Sequence, residues 1–250
     1  VIDIAKGLDV LEPDLAPAIE KPSEIKSTSI PVSTQETAVP PMRVSALEEQ
    51  AQAKKIINAS KKAVTSMFHE VRMGKAVNQQ VAIKLVDDIA ASVARNEGAL
   101  ISLVRLKNKD DYTYMHSVAV CALMVSLARE LGLSEAEIRQ AGMAGLLHDI
   151  GKAGISMGVL NKPGALTDEE FTLVKEHPQR GYVMLTQGQV TDEAALDVCL
   201  HHHEKVNGMG YPHQLKAEEI SLFAKMGAVC DVYDAVTSNR PYKHGWEPGV

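Results

Sequence analysis

Aromatic residues make up only 4% of this 250-residue chain, with a single tryptophan. A core cannot be built round large rings here, so Ala, Val, Leu, Ile and Met must fill it. The hydrophobic share of 45% is enough for one sizeable core and something smaller. Cysteine is also scarce: Cys121, Cys199 and Cys230 are an odd set in apolar helical stretches. That pattern argues against a disulfide framework and suits reduced, packed thiols in a cytoplasmic protein. Long apolar runs are missing. The longest, VAVCALMVSLA at 118–128, falls well short of the ~20 residues that cross a bilayer. The first residues, VIDIAKGLDV, lack a signal-peptide layout. A concentrated basic surface is missing too. With a formal net charge of −6 and charges alternating in sign, a non-specific grip on a nucleic-acid polymer is excluded, but a small phosphate ligand is not. The chain starts without Met and stops soon after its tryptophan, as a piece of a longer protein would.

What is present is unevenly distributed. Six of the eleven prolines lie between Glu12 and Arg43, among Ser, Thr and Glu and without an aromatic residue. Such a stretch buries too little apolar surface to offset its ordering entropy. We read residues 12–44 as a flexible linker, and residues 1–10 as a short strand and turn. From Ser45 onward the signals are helical. SALE at 45–48 is a capping box that opens a helix to about Arg72, with Ile57, Val64, Met67, Phe68 and Val71 on one stripe. Val81, Leu85, Ile89 and Val93 mark a second helix, from about Gln79 to Asn96 and ended by Gly98. A short third covers ALISLVRLK. The next, from about Asp111 to Leu131, has the stripe Val120, Leu123, Leu127 and Leu131 and is stopped by Gly132. SEAE at 134–137 and TDEE at 167–170 predict two further helix starts. In the first of these helices Gly142 and Gly145 permit close approach of a neighbour, and Gly151 marks its end. Later helices are predicted from about Asp192 and from about Ala217. The fold class expected is all-α.

One pattern recurs along these helices. An apolar stripe is interrupted by His or Asp at His116, at His148 and Asp149, at His177, at His202 and His203, and at Asp231. Burying several unpartnered polar groups would cost a few kcal/mol each. A shared metal site removes that cost. The donors are imidazole and carboxylate without thiolate, which suits Fe or Mn, with Ni and Zn as further options, better than a structural zinc knot. Seven donor groups are too many for one ion and suit two that share a carboxylate. Asp149 is the natural bridge, because its neighbour His148 can serve one ion while Asp149 reaches both. Two ions ~4 Å apart activate a bridging water for in-line displacement at phosphorus.

HDIGK at 148–152 and HHEKVNGMGYP at 202–212 resemble the HD-GYP family, a branch of the HD phosphohydrolases. The resemblance spans about residues 105–246. It takes in HSVAV at 116–120, LNKPGALTDEE at 160–170, HPQRG at 177–181 and CDVYDAVTSNRPYK at 230–243. It implies a helical metallophosphohydrolase that hydrolyses cyclic di-GMP to linear pGpG and GMP. It implies one ion on His116, His148, Asp149 and Asp231, and a second on Asp149, His177, His202 and His203. Lys152 corresponds to a lysine that contacts the scissile phosphate, and Arg240 and Lys243 to groups that hold phosphate oxygens. Gly210 and Tyr211 would help form a guanine pocket. Glu204 and Asp234 correspond to supporting, hydrogen-bonding residues. Some members bind a third metal through a Glu four residues before the first histidine. That position is Tyr112 here, so two metals are expected. Asn207 stands where the loop commonly carries Asp.

The resulting organisation has four parts. Residues 1–11 are similar to the end of a small domain of unknown function that often precedes this catalytic domain, and 12–44 are the linker. Residues 45–98 are a helical segment packing on the catalytic domain, and 99–250 are the catalytic domain itself. An alternative reading is a weakly active cyclic di-GMP-binding module acting through a partner protein. A homodimer is also left open.

Overall fold

The computed structural model describes residues 44–104 and 112–238. The strand expected at 1–10, the Pro-rich stretch up to 43, and Arg240 and Lys243 lie outside the described residues. In chain order the elements are α1 (Ala46–Arg72), α2 (Gln79–Arg95), α3 (Glu97–Val104), α4 (Tyr112–Glu130), α5 (Glu135–Leu147) and a 3-10 turn (Ile150–Gly154). They continue as α6 (Met157–Leu160), α7 (Asp168–Val174), α8 (His177–Gln187), α9 (Glu193–His201) and α10 (Leu222–Thr237). No strand occurs among the described residues, where a lone antiparallel bridge joins Asn207 to Lys216. The fold is all-α, as expected.

The helix starts follow from local chemistry. At Ser45, Ser134 and Thr167 the hydroxyl accepts from the backbone N–H three residues on. The glutamate at that third position accepts in return from the capping residue's own N–H. Gly132 ends α4 with φ +70°, which lets the N–H of Leu133 reach Ala128 O at 3.0 Å.

Four boundary or stripe expectations are corrected. Asn96, not Gly98, ends α2. Its N–H bonds Ser92 O, its side chain accepts from Ala99 N, and Gly98 lies inside α3. Val81 is 36% exposed, because the buried face of α2 runs instead through Ala82, Leu85, Val86, Ile89 and Val93. Leu131, just beyond α4, is exposed rather than part of its stripe. The last helix begins at Leu222 rather than near Ala217, because Ser221 caps it by accepting from Ala224 N. Ile220 is buried but belongs to the preceding turn.

α4 is the central rod. Val118, Ala119, Val120, Cys121, Ala122, Met124 and Val125 are completely buried. Each buried Val or Leu contributes about 1.5–3 kcal/mol relative to exposure. α5 crosses α4 in close contact because Gly145 has no side chain: a Cβ there would lie 2.9 Å from Cys121 Cα and from Val120 O. α1 and α2 share this core through Val64, Met67, Phe68 and Val71 and through Leu85, Val86, Ile89 and Val93. Phe68 of α1 meets Tyr114 of α4 edge-on, with ring centroids 5.5 Å apart. Near the start of α1, the buried Glu49 accepts from Ser92 Oγ and from Arg95 Nε at 2.7 Å, fixing α1 to α2.

Candidate metal centre

Helix ends deliver most of the polar cluster. His148 is the C-cap of α5, His202 the C-cap of α9, and His177 the first residue of α8. His116 and Asp231 project from within α4 and α10, and Asp149 immediately precedes the 3-10 turn. His116, His148, Asp149, His177, His202 and Asp231 are each at most 3% exposed. Gly151 does not end a helix, as the sequence suggested. It lies in the 3-10 turn, pressed against α8, where a Cβ would meet His177 O at 1.9 Å and Gly181 N at 2.5 Å.

In four of the imidazoles Nδ1 is engaged away from the centre, which turns Nε2 inward. His148 Nδ1 donates to Gly145 O at 2.8 Å, His177 Nδ1 to Val174 O at 2.7 Å and His202 Nδ1 to Val198 O at 2.9 Å. His116 Nδ1 pairs with Asp234 Oδ2 at 2.6 Å. Such outer partners fix the tautomer and ring orientation that metal ligation needs. His203 is held differently: its ring stacks on Tyr211, with centroids 4.8 Å apart and an interplanar angle of 28°.

Asp149 faces two groups at once. Its Oδ2 lies 3.3 Å from His148 Nε2 and 3.7 Å from His116 Nε2. Its Oδ1 lies 3.2 Å from His177 Nε2 and 3.8 Å from His202 Nε2. Asp231 Oδ1 is 2.9 Å from His116 Nε2, and Asp231 Oδ2 is 4.0 Å from His203 Nδ1. Lys152 is buried, and its Nζ sits 2.5 Å from Asp149 Oδ2. Three overlapping sets have the proximity needed to hold an ion: His116, His148 and Asp231; His148, Asp149 and His202; and His177, His202 and His203.

The electrostatics agree with a cation-binding site. Burial would raise the Asp149 carboxyl, but Lys152, then His148 and His177, hold it well below the usual carboxylate range. Burial would likewise raise Asp231, and His116 outweighs it. Burial pushes His202 down to about 3 and also lowers His177 and His203, so these rings are neutral donors at pH 7. Burial opposes charge on His116 too, but Asp231 and Asp234 raise it. His148 Nε2, Asp149 Oδ1, His203 Nε2 and Asp231 Oδ1 are buried without a partner in hydrogen-bonding geometry. Such atoms are costly unless an ion satisfies them, and each of the four residues belongs to at least one of the three sets close enough to hold one. The donor set therefore fits divalent metal.

The loop after α9 meets this centre where Tyr211 stacks on His203. Gly210 has no room for a side chain, since a Cβ would lie 2.3 Å from Lys205 N and 2.4 Å from Glu204 Cα. The buried Glu204 accepts from His213 N at 2.6 Å and Leu215 N at 3.0 Å, pinning the loop. Glu204 thus bonds the loop backbone, and Asp234 bonds the His116 ring.

Sequence reasoning missed a polar chain beside the centre. His201 Nδ1 pairs with Asp197 Oδ1 at 2.7 Å, His201 Nε2 with His213 Nδ1 at 3.0 Å, and Ser221 Oγ donates to Asp197 Oδ2. The Asp197–His201 spacing of four residues was the available signal. Lys162 pairs with Glu170 Oε2 at 2.6 Å. Cys121, Cys199 and Cys230 are free, buried thiols; burial raises all three, Cys230 to about 12.

This helical scaffold with a buried His/Asp cluster is that of the HD domain family, to which the chain belongs: the HD domain model matches residues 90–249. A second model, a domain of unknown function (DUF3391), matches residues 1–82 and so takes in α1. Among curated proteins, the chain is 53% identical over 245 residues to the cyclic di-GMP phosphodiesterase PA4108 of Pseudomonas aeruginosa, covering 98% of this chain and 57% of that protein. It is 48% identical over 122 residues to the cyclic di-GMP phosphodiesterase response regulator RpfG of Xanthomonas campestris, covering 48% of this chain and 32% of that one. The chain thus spans little more than half of the first relative's length and about a third of the second's. The solved structure of Bd1817, a HDG"Y"P protein from Bdellovibrio bacteriovorus, shares the fold with a TM-score of 0.63 at 22% identity, over 75% of this chain and 61% of that one. No helix among the described residues is long and apolar enough to cross a membrane.

Proposed function

We propose that this chain hydrolyses the phosphodiester bonds of cyclic di-GMP, using two divalent metal ions of which Fe and Mn suit the donors best. The observation that carries this reading is that four buried imidazoles surround the Asp149 carboxylate within 3.8 Å, with Lys152 beside it. The similarity to a curated cyclic di-GMP phosphodiesterase supports the choice of substrate.

His116, His148, Asp149 and Asp231 would hold one ion, and Asp149, His177, His202 and His203 the other. The two carboxylate oxygens of Asp149 face different histidine pairs, which supports a shared ligand there. When bound, the ions supply Lewis acidity and a water acidic enough to attack phosphorus at neutral pH. The protein's own groups do the rest. The Nδ1 contacts hold the rings so that no reorientation accompanies reaction. Lys152 carries an ammonium into a buried site and would exchange its contact with Asp149 for a phosphate oxygen, stabilising developing negative charge. Arg240 and Lys243 would hold further phosphate oxygens. Tyr211 would offer its ring to a guanine, with Gly210 letting the loop lie close enough to do so. Water gives up a proton as it adds to phosphorus, the P–O bond to the leaving sugar oxygen breaks, that oxygen takes up a proton, and linear pGpG results; a second round yields GMP.

The test is turnover of cyclic di-GMP by purified protein loaded separately with Fe(II) and Mn(II), with products separated by chromatography. pGpG appearing with either metal, and not after chelation, is the expected result. Tight binding of cyclic di-GMP without product would instead favour a ligand-sensing module.

A further inference from the structure

The 3-10 turn that carries Lys152 leaves three successive carbonyls, Ala153, Gly154 and Ile155, at its C-terminal side. Two arginines from distant elements occupy them. Arg72, the last residue of α1, donates from Nε to Ala153 O at 3.0 Å and from Nη2 to Ile155 O at 3.2 Å. Arg180 of α8 donates from Nη1 to Gly154 O at 2.9 Å, while Glu176 accepts from its other nitrogens. Helix-end carbonyls need partners, and a planar guanidinium satisfies two in a fixed geometry. The turn is therefore gripped on both sides. On one side Gly151 is wedged against His177 and Gly181. On the other, its position is set by the end of α1.

α1 is not a passive strut. Glu49 ties it to α2, and Phe68 contacts Tyr114, two residues before His116 in the chain. The stretch matched by the DUF3391 model ends at residue 82 and so contains Arg72. Ala153 follows Lys152 directly, and the N–H of Ile155 bonds the carbonyl of Lys152 at 3.1 Å. The two hydrogen bonds of Arg72 thus join the end of α1 to the backbone that directly follows Lys152.

We propose that Arg72 is a positioning residue for Lys152, and that through it the segment preceding the catalytic helices controls where the Lys152 ammonium sits. This rests on the role for Lys152 given under the proposed function. Misplacing a catalytic group by about 1 Å can cost on the order of 100-fold in rate. Arg72→Ala is therefore expected to lower kcat about 10- to 100-fold with little change in KM or bound metal.

The experiment is a double-variant comparison in the full chain: wild type, Arg72→Ala, Lys152→Met and the pair, each assayed for cyclic di-GMP turnover and metal content. If Arg72 acts through Lys152, adding Arg72→Ala to Lys152→Met costs nothing further. Equal losses in both backgrounds would overturn the inference. Guanidinium ion added to Arg72→Ala should restore part of kcat. Hydrogen exchange on the same variants separates this inference from the reading it rests on. Arg72→Ala should speed exchange at the Lys152 and Ile155 amides while α4 and α5 keep their protection, whether or not the wild type turns substrate over. Unchanged exchange at those amides would sink the coupling. Absent turnover with faster exchange would leave the coupling standing and remove the hydrolase.

Discussion

Asp234 Oδ2 lies 2.6 Å from His116 Nδ1, while the opposite ring nitrogen of His116 lies 2.9 Å from Asp231 Oδ1. One carboxylate from α10 orients the ring and another shares its inward face. Asp234→Asn keeps the shape but weakens the orienting bond. It is expected to lower metal affinity or turnover about 10- to 100-fold, as outer partners of ligating histidines do. Metal content after dialysis against graded chelator, measured beside activity, checks this.

Gly151 is required by space. With His177 O at 1.9 Å and Gly181 N at 2.5 Å from an added Cβ, Gly151→Ala must push backbone from backbone. We expect a loss of about 3 kcal/mol or more, at the upper end for overpacking. A fall in the urea midpoint without a change in slope is the observable. Gly158→Ala, at a position with nothing within 4 Å, is the matching control and should leave the midpoint in place.

Glu204 holds the loop that carries Tyr211 through two backbone amides, at His213 and Leu215. Glu204→Ala orphans both amides, each worth about 1.5–3 kcal/mol when bonded to a charged group. The expected consequence is a KM for cyclic di-GMP raised about tenfold or more, with bound metal unchanged. Steady-state kinetics with metal analysis would show it, and loss of metal with an unchanged KM would count against this reading of the loop.

The Glu49–Arg95 pair gives a pH dependence away from the metal centre. Hydrogen bonding from Arg95 holds the Glu49 carboxyl below the usual glutamate range. Its folded value is therefore below its unfolded value, so the stabilisation is fully present above the unfolded pKa and fades as pH falls through the folded one. Glu49→Gln should cost about 2 kcal/mol at pH 7, less than a fully buried pair, since Arg95 is 29% exposed. The wild-type and variant stability curves should draw together as pH falls below the ordinary glutamate value of about 4.3. A gap that stays constant into acid would contradict it.

Much of this arrangement could be read from the chain. Extending the α4 stripe back by four residues placed His116 in the core, and SALE, SEAE and TDEE marked three helix starts. Local rules work where one helix decides the outcome. They failed where a second segment decides. Gly151 looked like a helix stop, yet α8 pressing on it is the reason for glycine there. The start of α10 was misplaced because Ile220 is buried from within a turn, which mimics a helical stripe. The chain from Ser221 through Asp197 and His201 to His213 joins three separate stretches, and Arg72 reaches carbonyls some eighty residues on. Neither leaves a periodic signal.

Everything proposed for the site depends on Asp149 serving two ions at once. The most direct test is metal counted per chain by elemental analysis, in wild type and in Asp149→Ala, after anaerobic loading and removal of free ion. About two ions per chain are expected in the wild type. Loss of both, or of all but a weakly held one, is expected in the variant, with no change in helical content. One ion per chain in the wild type, or two retained without Asp149, would contradict the bridging role.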